Sequence, residues 1–333
     1  MTDRSKPPGI ITVAAAAGVS VTTVSHVLSA RRPVAAATRQ RVLRVIDELG
    51  YMPNQLARGL RTQETRTVAL VVPDLSNPFY PDMARGLREV LDPAGYLMVV
   101  CTTEAGSEHS IVRQLVERRT DAIGFAGTYR SGDDIQAAIA AGVPMVLLGP
   151  HERLPGVDTV NSDDFGAGVL ATGHLLDQGH ERIGFIAGPA ELGPSDRLRG
   201  YHDAMARAER PVIASLVHHG APTRDGGTAG MTALLSRPDP PTAVVCTNDL
   251  VAIGALEAAR ALGRRVPADV AVVGFDDIEA AALVSPALTT VRIPAREQGR
   301  ACGRLLLHRL GGDDQQPKQV ISFAATLVRR ESA

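Results

Sequence analysis

Polar and aromatic side chains gather at a few points where apolar runs stop. Phe79 and Tyr80 follow the run VALVVPD (68–74), and Asp163 follows a run near 157–160. Asn248 and Asp249 follow TAVVCT (242–247), and Asp276 and Asp277 follow VAVVGF (270–275). Aromatic faces beside carboxylates and amides suit a sugar, a nucleobase or a similar polyol, because a carboxylate accepts hydrogen bonds from hydroxyls and amines. Plainer roles stay open for the same residues. Asp and Asn after a strand often cap the next helix, and Phe79 and Tyr80 can be ordinary core. Asp249 and Asp277 read as structural.

A second cluster lies near the start of the chain, in VSVTTVSHVLS (19–29). At helical spacing Val24, Val27 and Leu28 share one face, and Thr22, Ser25, His26 and Ser29 share the other, with Val21 and Thr23 near the helix start. Small hydroxyls and an imidazole exchange hydrogen bonds with base edges without steric bulk, and a valine methyl can meet a thymine methyl. The alternative is a generic solvated face. Farther on, the eight residues 54–61 (NQLARGLR) are too few for a stable isolated helix, which needs roughly 12–15. Asn54 can cap such a segment, and Leu60 is an apolar side chain able to wedge between base steps in a minor groove. Arg58 and Arg61 suit phosphates. The alternative here is a plain interdomain linker.

These positions need elements to hold them. Ser20 is expected to cap the helix at 21–28, Thr12 one over 13–17 that Gly18 breaks, and Thr38 one running to Leu49. Helix, short glycine turn, helix is the helix-turn-helix pattern. From Thr67 onward, apolar runs alternate with helix-like stretches near 81–94, 108–118, 133–141, 165–178, 197–208, 225–236, 249–262 and 295–309. Continuous apolar strands alternating with helices predict parallel sheets, and eight or more strands predict two doubly wound lobes. The expected fold is therefore an all-α headpiece followed by an α/β body of two lobes.

Composition narrows the function. The net charge of −1 divides into +5 over residues 1–65 (nine Lys/Arg, four acids) and −6 over the rest (26 against 32). A basic head on an acidic body points to a polyanion as the head's partner. With no Trp and 3% aromatic residues, aliphatic side chains must form the cores. Cys101, Cys246 and Cys302 are far apart within apolar stretches, which favours reduced core thiols over disulfides or a metal site. The start MTDRSKPPG lacks the apolar stretch of a signal peptide and no long apolar run occurs, so a cytoplasmic location is expected. No G-x-G-x-x-G, Walker A, H-E-x-x-H or G-x-S-x-G motif is present. No catalytic residue, metal or cofactor is expected.

The run from Ile11 to Tyr80, ITVAAAAGVSVTTVSHVLS through PDLSNPFY, resembles the lactose/galactose-repressor (LacI/GalR) family. So do LDQGHERIGFIAGP (176–189), SDRLRGY (195–201), CTNDLVAIGAL (246–256), VVGFDDI (272–278), SPALTTVRIP (285–294) and LVRRES (327–332). The resemblance spans nearly the whole chain in order. It implies that Val21, Thr22 and His26 read bases, that Thr23 and Ser25 lie near phosphates, and that Leu60 is the minor-groove intercalator. With Ser29, Asn54 and Arg58 these form the candidate DNA-facing set. It also implies Phe79, Tyr80, Asp163, Arg197, Asn248 and Asp276 as contacts to a small-molecule effector, and a periplasmic-binding-protein-like body. The expected division is a headpiece at 1–52, a hinge helix and linker at 53–66, and a sensor and dimerisation domain at 67–333. Within the last, an N-lobe covers about 67–160 plus 292–318, and a C-lobe about 161–291 plus 319–333. The implied activity is that of a homodimeric regulator, most simply a repressor, on a pseudo-palindromic operator under allosteric control by a sugar or related metabolite. Two other readings stay open: a DNA-binding regulator without an effector, and a cytoplasmic sugar-binding or sugar-modifying protein.

Overall fold

The computed structural model describes residues 8–29, 32–51, 64–103, 108–126, 133–149, 156–193, 195–312 and 316–333. The chain forms two compact units, 1–65 and 66–333.

In the first unit α1 spans Ile10–Ala17, α2 Val21–Ser29 and α3 Ala36–Glu48. Gly18 adopts φ 62°, the left-handed turn that a Cβ disfavours, so the chain reverses between α1 and α2. Ser20 Oγ accepts from the Thr23 amide at 3.1 Å and is the α2 cap. Thr12 and Thr38 are not caps. α1 begins at Ile10 and α3 at Ala36, each without a side-chain cap bond. Water can satisfy first-turn amides at an exposed helix start, so no hydroxyl is obligatory there. Val13, Ala14, Ala17, Val24, Val27, Val42 and Val45 form the buried core of this unit.

The second unit holds two six-stranded sheets. The first uses β1 (Thr67–Val72), β2 (Leu97–Thr102), β3 (Ala122–Phe125), β4 (Met145–Leu148), β5 (Asp158–Ser162) and β11 (Val320–Phe323), in the order β11-β5-β4-β3-β1-β2. All its pairs are parallel. The second uses β6 (Ile183–Ala187), β7 (Val217–His219), β8 (Ala243–Cys246), β9 (Ala271–Asp276), β10 (Thr289–Arg292) and β12 (Thr326–Val328), in the order β12-β10-β9-β8-β6-β7. Among the described strand pairs of this sheet, only β12 runs antiparallel, against β10. The lobe boundaries shift from the expected ones. Ser162 still pairs in the first sheet and Arg292 in the second, while 320–323 pair with β5. The final return to the second lobe therefore lies after Phe323, not before residue 319.

Glycines set how closely the covering helices approach. α4 (Phe79–Leu91) packs on α12 (Ala295–Leu310), α7 (Asp164–Asp177) on α8 (Asp196–Arg207), and α9 (Arg224–Leu235) on α10 (Asp249–Ala261). In each pair a Cβ added to a glycine would strike the facing helix's backbone, reciprocally: Gly86 and Gly299, Gly168 and Gly200, Gly227 and Gly254. At Gly168 that backbone is the carbonyl of Arg197. Gly168→Ala is expected to cost roughly 1–3 kcal/mol through overpacking. Gly173→Ala on the same helix meets nothing within 4 Å, and should be neutral or stabilising by up to about 1 kcal/mol. Thermal unfolding of the two variants side by side checks the contrast.

Candidate functional site

The strand ends of the two lobes meet around one guanidinium. Arg197 sits in the first turn of α8, whose start is capped by Ser195 Oγ accepting from the Leu198 amide at 3.3 Å. The α7–α8 glycine contact brings it to Asp164, the first residue of α7. Arg197 Nε donates to Asp164 Oδ1 at 2.6 Å. Its Nη1 donates to the Thr247 carbonyl at 2.8 Å and to Asp276 Oδ1 at 3.2 Å. The guanidinium carbon lies 4.8 Å from the centroid of the Phe275 ring, a cation–π contact. Exposure of the Asp164, Asp276 and Arg197 side chains is 8%, 5% and 16%. Nη2 of Arg197 makes no hydrogen bond among the described residues and remains a donor.

Asp276 closes β9 with φ 103°, and Asp277 follows at φ 57°. Two successive non-glycine residues at positive φ are a strained turn that neighbouring structure must hold. Asp277 does the holding: it accepts from Arg292 Nε at 2.7 Å and from Arg330 Nη2 at 2.6 Å. Asp249 is fully buried and equally structural, accepting from the Ile278 amide at 2.9 Å and the Thr290 hydroxyl at 2.6 Å. Burial, with Asp276 adjacent, pushes its carboxyl well above the usual range.

From the first lobe, Asn77, Phe79 and Tyr80 reach the same region. Asn77 Oδ1 accepts from the Phe79 amide at 3.1 Å, which orients the side chain, and Asn77 lies close enough to Asp276 to favour its charged form. Phe79 packs against the apolar cores of both lobes. It meets Tyr80 edge-to-face with ring centroids 5.3 Å apart. Burial and the nearby Asp276 carboxylate raise the Tyr80 phenol, so it stays a neutral donor. Burial lifts Asp276 to about 6, Arg197 pulling the other way. Burial likewise opposes the charge on Arg197, but Asp164 and Asp276 outweigh it and raise its pKa.

Of the six expected effector contacts, the structure brings Tyr80, Arg197 and Asp276 together, with Phe79 beside them. Asp163 is exposed and caps α7, accepting from the Gly166 amide at 2.8 Å. Asn248 caps α10 through the Val251 amide at 2.8 Å and donates to the Pro222 carbonyl at 3.0 Å. Asp164 and Asn77 were missed. In the pair Asp163-Asp164 one carboxylate caps and the next turns inward, and composition alone does not say which.

On α2, Val21 and Thr22 are exposed, and Thr23, Ser25 and His26 partly so, opposite buried Val24 and Val27. The Thr23 hydroxyl also contacts Ser20 Oγ at 2.9 Å. Ser29 ends α2. Its side chain, and the hinge residues Asn54, Arg58 and Leu60, lie outside the described residues. No group of three or more metal-ligating side chains occurs among the described residues. No single described helix is long and apolar enough to cross a membrane.

Comparison with known proteins gives the following. Residues 10–54 match the family model for bacterial regulatory proteins of the lacI family, and residues 172–333 match that for a periplasmic binding protein-like domain. The HTH-type transcriptional regulator CelR of Thermobifida fusca is 38% identical, over 98% of this chain and 99% of that protein. A structure of a transcriptional regulator CelR–cellobiose complex is similar with TM-score 0.74 and 37% identity, covering 98% of this chain and 100% of that one. The crystal structure of the Lac repressor dimer bound to operator and the anti-inducer ONPF is similar with TM-score 0.87 and 28% identity, covering 98% and 99%.

Proposed function

The chain belongs to the LacI family of HTH-type transcriptional regulators, and we propose that it is a homodimeric, cytoplasmic, non-enzymatic repressor whose operator affinity is set by a sugar held between its lobes. The observation that carries the effector reading is Arg197, fixed between Asp164 and Asp276, with no hydrogen bond from Nη2 among the described residues. A guanidinium donor beside a carboxylate acceptor matches two adjacent hydroxyls, each of which both donates and accepts. Tyr80 and Phe79 supply aromatic faces from the other lobe. Asp163 and Asn248 contribute through the backbone they cap. The relative that binds cellobiose makes neutral oligosaccharides the first compounds to test.

For DNA, Val21, Thr22 and His26 read base edges while Thr23 and Ser25 meet the backbone, with Ser29 on the same DNA-facing side, one headpiece per half-site. Residues 1–52 form this headpiece, 53–66 the hinge and 67–333 the sensor. Asn54, Arg58 and Leu60 of the hinge meet the duplex. Large apolar side chains left in water on the body, Leu97 at 66% and Leu283 at 76% exposure, suit burial between two copies.

Ligand-induced stabilisation and operator binding, measured on the same full-length protein, test this reading. A sugar is expected to raise the melting temperature and to shift the affinity for a selected palindromic duplex. Failure to bind any palindrome defeats it. Leu60→Ala is expected to weaken operator binding about tenfold or more, because the wedge that holds the bent minor groove is gone. Its ligand-induced stabilisation should be unchanged, and wild-type operator affinity for this variant would remove the wedge.

The site also predicts a pH dependence. Asp276 accepts ligand hydroxyls as a carboxylate, and its pKa is pushed up to about 6. Ligand affinity should be level above pH ~7 and fall about tenfold per unit well below ~6. Stability moves the other way: a folded-state pKa above the unfolded value of about 3.9 adds stability as pH falls from about 6. Titration calorimetry from about pH 5 to 8 checks the first, and a level profile removes Asp276 from the contact.

A further inference from the structure

Resting on that reading of the cleft, we infer that the site selects uncharged or cationic polyols and rejects phosphorylated or carboxylated ones, because its guanidinium is already claimed by two carboxylates. A regulator that senses a sugar phosphate needs a cation whose charge is available to the anion. Here the only basic side chain bonded to Asp164 or Asp276 among the described residues is Arg197, at 2.6 and 3.2 Å. Two more described cations, Arg292 and Arg330, are spent as well: both pair with Asp277. Seen from the Tyr80 phenol on the opposite lobe, the charges that act among the described residues include three carboxylates, Asp74, Asp164 and Asp276, against the Arg197 guanidinium.

An arriving phosphate would be the third anion on one guanidinium, within a few ångströms of both carboxylates and largely out of water. Repulsion between like charges is strong under those conditions, and no unpaired cation among the described residues bonded to these carboxylates offsets it. A neutral hydroxyl meets no such barrier. It accepts from Arg197 Nη2 and donates to a carboxylate that keeps lone pairs available. An amino group in place of a hydroxyl is favoured further, since its charge is attracted by the two carboxylates.

Matched ligands on the full-length protein test the inference by calorimetry and thermal shift: cellobiose against cellobionate, and glucose against glucose 6-phosphate, gluconate and glucosamine. In every pair with a binding member, the anion is expected to bind at least tenfold more weakly than its neutral parent, and the amine at least as well. Asp164→Asn and Asp276→Asn each remove one negative charge with little change of shape. Each is expected to narrow the neutral-to-anion ratio several-fold, and Asp164→Asn to let inorganic phosphate compete. An anion that binds wild type as tightly as its neutral parent, or more tightly, overturns the inference while leaving the effector reading intact. Silence across all these sugars overturns both.

Discussion

Arg197→Met is expected to abolish the response to ligand and to lower stability by about 3–5 kcal/mol. The substitution keeps a side chain of similar length against Phe275 but removes the charge that holds Asp164 at 2.6 Å and Asp276 at 3.2 Å. Two buried carboxylates then face each other uncompensated, and at least one must take up a proton to stay buried. Burial already raises Asp276, and losing the guanidinium that opposes this raises it further, so the variant's stability is expected to recover as pH falls, a direction that simple loss of packing does not give. Adding Asp164→Asn and Asp276→Asn to Arg197→Met should restore stability without restoring the ligand response. Urea unfolding at two pH values, with a ligand thermal shift at each, separates these effects. An Arg197→Met protein within about 1 kcal/mol of wild type and still stabilised by ligand would show that the guanidinium is peripheral.

Arg309→Met should be as damaging to stability, about 3–5 kcal/mol, and harmless to the cleft. Arg309 near the end of α12 and Asp158 at the start of β5 are each 1% exposed, and they are joined by Nε–Oδ2 at 2.8 Å and Nη2–Oδ1 at 2.9 Å. The same guanidinium donates to the carbonyls of Gln316 and Pro317, both at 3.0 Å, and Asp158 Oδ1 accepts from the Gln319 amide at 2.7 Å. One ion pair therefore fixes the segment that delivers β11 to the sheet edge. Removing the cation leaves Asp158 charged, buried and short of partners. Asp158 begins β5, whereas the ligand site lies at strand ends such as Asp276 on β9, so the folded fraction should keep its ligand affinity. Calorimetric affinity unchanged beside a depressed urea midpoint is the expected pair of results. A loss of affinity would mean that this anchor and the cleft are coupled.

The alternating apolar runs placed most of the strands and helices because buried parallel strands must be apolar on both faces. β7, β11 and β12 lacked that signal. VHH, VISF and TLV are short and only partly buried, so burial does not write a pattern into them. The lobe exchange near 320 was misplaced for a related reason. The chain runs from VISF in one sheet to TLV in the other with no turn residue between them, so pairing rather than periodicity sets the boundary. At the site, strand-end position pointed to Tyr80 and Asp276, while Arg197 came only with the family resemblance. Asp164 and Asn77 depend on which way a helix's first turn and an Asn-capped loop face, and that is decided by glycine contacts between helices remote in sequence. Asp163 and Asn248 took the capping role their residue types equally allowed. The hinge residues Asn54, Arg58 and Leu60 lie outside the described residues, so the reading of that segment rests on its shortness and on the family resemblance.

The central claim is that occupancy of the cleft changes the affinity for operator. Fluorescence anisotropy of a labelled palindromic duplex, titrated with full-length protein with and without a sugar that stabilises it, measures this directly. A shift of roughly 5–150-fold in wild type, and none in Arg197→Met, is the predicted result. A sugar that saturates the cleft while the wild-type operator affinity stays the same would contradict it.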